Sequence, residues 1–132
     1  VGIGAERMIR SADFSDEAEI DLLPVAVVRQ SLESVVGTRA PIRRAFDDLD
    51  WFRGADFLLD DNVRFSMRHY DGHPEGTFTI YLDRGVEKDP GAIALILREF
   101  KLPPQALAWE NEAAARAHHR AGAKGYASAR FR

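Results

Sequence analysis

Apolar residues recur along this chain at two spacings, and each spacing predicts a different kind of element. Leu22, Val25, Val28, Leu32 and Val35 return every three or four positions while Arg29, Gln30, Glu33 and Ser34 fill the other side. That pattern predicts an amphipathic helix closed by Gly37 at its C-terminal cap. A second helix is expected from Pro41, with Ile42, Ala45, Phe46, Leu49 and Phe52 sharing a face and Gly54 at its end. Asp89 and Pro90 suit the cap and first turn of a third helix, whose apolar stripe is Ile93, Ile96, Leu97 and Phe100 and which stops before Pro103 and Pro104.

Between the second and third helices the spacing drops to two. Ala55 to Leu59 is a short apolar run, and Asp60-Asp61-Asn62 is a turn cluster whose side chains bond their own backbone. Val63, Phe65 and Met67 then alternate with Arg64, Ser66 and Arg68. After the loop from Asp71 to Gly76, Phe78, Ile80 and Leu82 alternate with Thr79, Tyr81 and Asp83. An antiparallel hairpin follows, with Met67 opposite Ile80 and Phe65 opposite Leu82 on the buried face, and Arg64 opposite Asp83 on the wet one. A slip of one residue would turn the phenylalanines into water, so the parity is fixed. Further on, Leu107 and Trp109 alternate as an edge strand would, and the alanine-rich run to Ala121 favours helix. A short strand over 106–109 followed by a helix is expected, with one continuous helix from Pro104 as the alternative.

These elements predict a two-layer α+β single domain over residues 8–121, an antiparallel sheet of three to four strands with helices packed on one face. Residues 1–7 precede Met8 and are expected to be a disordered or non-native start, and residues 122–132 a flexible basic tail.

A chain of 132 residues with this apolar fraction suits one core, burying about two-thirds of its unfolded surface. The absence of cysteine excludes disulfides, thiolate metal sites and cysteine nucleophiles. Neither a membrane-length apolar run nor a secretory leader is present, so a cytoplasmic location is expected. Arginine greatly outnumbers lysine and alanine is abundant, a bias associated with GC-rich bacterial sources. Charge is unevenly placed: Arg116, Arg120, Lys124, Arg130 and Arg132 against Glu112 give +4, which leaves −7 of the net −3 to residues 1–110.

Two constellations carry candidate chemistry. His69, Asp71, His73 and Glu75 occupy every second position, and imidazole with carboxylate suits a divalent metal that would activate water. Gly72, Pro74 and Gly76 turn the chain there, however, and parity places His69 on the buried face. A hairpin loop above a half-buried histidine is the preferred reading. His118 and His119 are adjacent, about 100° apart on a helix, and read as surface residues. Asp47, Asp48, Asp50, Asp56, Asp60 and Asp61 lack the order of a calcium loop and read as helix-end and turn residues. Neither a nucleophile elbow nor a phosphate loop is present.

The second constellation is the wet face of the hairpin, where Arg64, Arg68, Tyr70, Thr79 and Tyr81 lie together. Arginine and tyrosine anchor protein interfaces because each joins a large contact area to hydrogen bonding. An acidic body opposes a phosphate backbone, which disfavours nucleic acid. The expected function is therefore a small non-catalytic module, immunity-like or chaperone-like, that binds another protein through these five residues or the 106–109 edge, without a cofactor and with a homodimer as one possible partner arrangement. The alternative is a small enzyme using a divalent metal held by His69, Asp71, His73 and Glu75.

Overall fold

Strand-forming runs dominate the chain more than its helical spacing suggests. The computed structural model describes residues 8–17 and 20–121 and builds them into β1 (Ile9–Ala12), β2 (Leu22–Val28), α1 (Leu32–Val36), β3 (Arg43–Phe46), β4 (Trp51–Leu59), β5 (Val63–Tyr70), β6 (Phe78–Asp83), α2 (Pro90–Glu99), β7 (Leu107–Glu110) and α3 (Glu112–Ala121). The seven strands form one antiparallel sheet in the order β1-β4-β5-β6-β2-β7. β3 joins the same edge of β4 as β1, pairing with Trp51–Gly54 while β1 pairs with Asp56–Leu59. The expected sheet of three to four strands under a layer of helices is thus corrected to a large seven-stranded sheet with three short helices.

Two predicted helices account for the difference. Leu22–Val28 is a strand bonded on both sides, to β6 and to β7. Val25, Val27 and Val28 are stiff at Cβ and favour extended backbone. Pro24, which lacks the amide a helix interior requires, sits at a break in the β2–β6 register. Only Leu32–Val36 is helical. Ser31 caps it by accepting from the Ser34 amide at 3.1 Å, and Gly37 closes it as anticipated, at φ +56°.

The second predicted helix is instead the β3–β4 hairpin. At its turn Asp47 Oδ1 accepts from the amides of Leu49 (3.0 Å) and Asp50 (2.9 Å), and Asp48 adopts φ +75°. A side chain that bonds its own turn competes with the helical alternative.

The expected β5–β6 hairpin, the helix capped by Asp89, and the short strand followed by a helix are present. Phe65 pairs with Leu82 and Met67 with Ile80, and Arg64 Nε lies 3.1 Å from Asp83 Oδ1. Asp89 caps α2 by accepting from the Gly91 amide at 2.9 Å. A short 3-10 turn over Pro104–Ala106 leads into β7, and Asn111 caps α3 through the Ala114 amide. Residues 1–7 and 122–132 lie outside the described residues.

The core gathers one face of the sheet, including Ala55, Phe57, Leu59, Phe65, Met67, Ile80 and Leu82, with Leu32 and Val36 of α1, Ile93 and Ile96 of α2 and Ala114 and Ala117 of α3. Phe57 stacks on Phe65 at 5.1 Å and meets Phe100 edge-on at 5.2 Å. Among the described residues no helix is long and apolar enough to cross a membrane.

Candidate functional site

Strand alternation turns Phe52, Gly54 and Asp56 of β4, Ser66, Arg68 and Tyr70 of β5, and Thr79 and Tyr81 of β6 away from that core. This second face is the floor of a cleft of about 670 Å³, bordered by residues of the segment before β2 and by the β3–β4 turn. Asp56 ties the border to the floor: its Oδ2 accepts from the Phe14 amide at 2.9 Å.

Arg68 is the centre of the floor. Its guanidinium carbon lies 4.3 Å from the centre of the Phe52 ring and 5.6 Å from that of Tyr81. Nε donates to Ser66 Oγ (3.0 Å) and Nη1 to the Tyr70 hydroxyl (3.2 Å). Ser66 in turn donates to Asp56 Oδ1 at 2.8 Å and Tyr70 to Asp47 Oδ2 at 2.8 Å. Two aspartates thereby balance one guanidinium through neutral hydroxyls. Gly54 makes room for the stack, since a Cβ there would stand 3.0 Å from Phe52 Cε1 and 3.2 Å from Arg68 Cγ.

Burial pushes the Tyr70 phenol up to about 12; Arg68 opposes the rise and Asp47 adds to it. Tyr81 is raised as well, by burial first, against the pull of Arg68. Burial also pushes Asp47 upward, but the Asp50 amide, the Tyr70 hydroxyl and the Leu49 amide outweigh it and leave the carboxyl below its ordinary range.

Of the five residues expected to present a binding face, Arg68, Tyr70 and Tyr81 come together in the cleft. Thr79 and the neighbouring Ser66 are buried in its floor. Arg64 is engaged elsewhere, 3.1 Å from Asp83 and 2.6 Å from Glu17. Six carboxylates, those of Asp13, Glu17, Asp21, Asp47, Asp48 and Asp56, line the cleft with Arg43 and Arg68, and Arg43, Arg64 and Arg84 pair with Asp13, Glu17 and Asp21.

The rim of the cleft is the β3–β4 tip, which the helical reading of this segment concealed. Phe46 (50% exposed), Leu49 (87%) and Trp51 (47%) all face solvent. The Phe46 and Trp51 rings lie 5.2 Å apart, and the Arg44 guanidinium is 5.1 Å from the Trp51 ring while paired with Asp71 at 2.7 Å. The visible signal for this tip was Asp47-Asp48-Leu49-Asp50, a turn sequence between two aromatic residues.

The alternating histidine and acid set does not converge. His69 is buried, as parity required, with Nδ1 3.3 Å from Arg53 Nη2 and Nε2 3.3 Å from the Pro74 carbonyl. Asp71 is held by Arg44, which lowers its pKa, while His73 rests 5.8 Å from the Tyr70 ring and Glu75 is exposed. Among the described residues no three histidine, aspartate or glutamate side chains are placed to hold a metal ion. His118 departs from its expected surface position: it is buried, with Nδ1 3.2 Å from Glu110 Oε2.

No family model, curated protein or solved structure matches the chain.

Proposed function

We propose that this is a non-catalytic module that binds another protein through the β3–β4 tip. The observation that carries the proposal is the joint exposure of Phe46, Leu49 and Trp51 on one turn. Large aromatic side chains held against each other present contact area with little freedom to lose, which makes them anchors of protein interfaces. Around them stand Asp47, Asp48, Asp50 and Asp71, on a body whose residues 1–110 carry −7. The complementary surface is an apolar pocket inside a basic surround, and such a pairing speeds encounter and excludes acidic competitors.

Cross-linking and mass spectrometry in extract of the source cells tests this, comparing wild type with a Phe46→Ser, Trp51→Ser double variant and with Trp109→Ser, another exposed aromatic on β7. The expected result is a stoichiometric protein partner captured by wild type and by Trp109→Ser but lost from the double variant, whose circular dichroism spectrum stays native. Equal capture by all three overturns the proposal. Capture only of a second copy of this chain overturns its assignment to a different, basic protein.

A further inference from the structure

The loop between β5 and β6 hangs on one buried histidine. We propose that His69 is a proton-operated latch: neutral, it clasps Arg53 and the 71–77 loop together, and on taking up a proton it lets both go. Its Nδ1 lies 3.3 Å from Arg53 Nη2 and its Nε2 3.3 Å from the Pro74 carbonyl oxygen. A guanidinium only donates and a carbonyl only accepts, so Nδ1 is bare and Nε2 carries the hydrogen. The ring is therefore neutral, and both of its nitrogens are engaged.

A proton added at Nδ1 sets an N–H against the N–H of Arg53 and a second positive charge beside the first, at a side chain only 6% exposed. Both contacts belong to one rigid ring, which cannot turn from Arg53 and keep Pro74. Charged groups face the latch from three sides: Arg53 of β4, Glu33 of α1 paired with Arg53 Nη1, and Asp71 just beyond β5, which Arg44 already holds. Glu33 is thus in place to keep Arg53 once the ring releases it. His73 and Glu75 of the loop are exposed, His73 lying 5.8 Å from the Tyr70 ring.

The loop in turn supports the tip. The Asp71 amide donates to the Trp51 carbonyl at 3.0 Å, and the Asp71 carboxylate holds Arg44, whose guanidinium lies 5.1 Å from the Trp51 ring. A released loop keeps its internal bonds, Thr77 Oγ1 to the Pro74 carbonyl at 2.7 Å and the His73 amide to Tyr70 O at 3.1 Å, but loses its tie through His69. The latch itself stands on these contacts; its use, to weaken capture in acid, rests on the docking mode proposed above.

The test is nitrogen NMR of the isotopically labelled full chain from about pH 7.5 to about pH 5.5, the range in which imidazole takes up a proton, on wild type, His69→Gln and His73→Gln. At the upper pH the His69 ring should show a bare Nδ1 and a protonated Nε2. On acidification the amide shifts of Arg53, Gly72, His73 and Thr77 should move together with that ring, and the protection of the Asp71 amide against exchange should fall by about three- to tenfold. Glutamine can accept from Arg53 and donate to Pro74 without titrating, so His69→Gln should abolish the change while His73→Gln retains it. The opposite tautomer, a charged ring at the upper pH, an unmoved loop, the same change in His69→Gln, or its loss in His73→Gln each overturns the latch. If His69→Gln does not fold, wild type and His73→Gln still decide. Cross-linking repeated at both pH values separates the two readings. Tip-dependent capture that ignores pH beside a working latch rejects its use alone, and a working latch beside capture that ignores the tip rejects the docking mode alone.

Discussion

Lys101 stands where α2 reverses, at φ +57°, with its amide donating to Arg98 O (3.1 Å) and the Leu102 amide donating to Leu97 O (2.8 Å). This is the paired-bond helix end that glycine ordinarily occupies, because a Cβ in the left-handed region crowds the backbone. Lys101→Gly is expected to stabilise the protein by about 0.5–1 kcal/mol. A higher urea midpoint at unchanged slope would show it, and a lower midpoint would show that the lysine stem contributes more than the strain costs. Tyr70 makes a second prediction at this scale. Its phenol is raised in the folded chain from 10.0 to about 12, by burial above all. The stability linked to it is complete below the unfolded value and is lost as pH rises through the folded one. Urea unfolding should therefore weaken from about pH 10 to about pH 12, and Tyr70→Phe should flatten that decline, leaving the part that belongs to Tyr81. A slope unchanged by the substitution would contradict the assignment.

Among the elements, the β3–β4 hairpin depends on one side chain. Asp47 holds the amides of Leu49 and Asp50 with one oxygen and the Tyr70 hydroxyl with the other. Asp47→Ala should cost about 1–3 kcal/mol and speed hydrogen exchange at Leu49 and Asp50 specifically; uniform exchange across the sheet would indicate global destabilisation instead. The same hairpin shows why part of the fold escaped the sequence pattern. Ala45 pairs with Phe52 and Phe46 with Trp51, so residues that share a helical face on paper are neighbours across two strands. β2 misleads for another reason: bonded on both sides and largely buried, it presents a near-continuous apolar run that does not separate strand from helix. β5 and β6 were legible because one of their faces is apolar except for His69 and the other polar. That parity also brought out Arg68, Tyr70 and Tyr81. It did not reveal the cleft-lining residues among 13–17 and 20–22, which have no period, and so Thr79 and Ser66 read as wet although both are buried.

At the scale of the molecule, the sheet separates two jobs. One face is spent on the core with Phe57, Phe65 and the helices, and the other holds charge, hydroxyls and aromatic rings around Arg68. Under the proposed docking mode, the acidic surplus of residues 1–110 supplies a field that attracts a basic partner before contact and weakens as salt rises. β2, described above as bonded on both sides, has a consequence for synthesis. Val28 takes its neighbours from Phe78 on one side and Leu107 on the other. β4, β5 and β6 are consecutive in the chain as in the sheet, whereas β2 precedes both of its neighbours. During synthesis its native partner on one side is missing until β6 has been made, and on the other until β7 has. The interval in which this chain is prone to stick to others is therefore set by how fast the ribosome travels from Leu22 to Glu110.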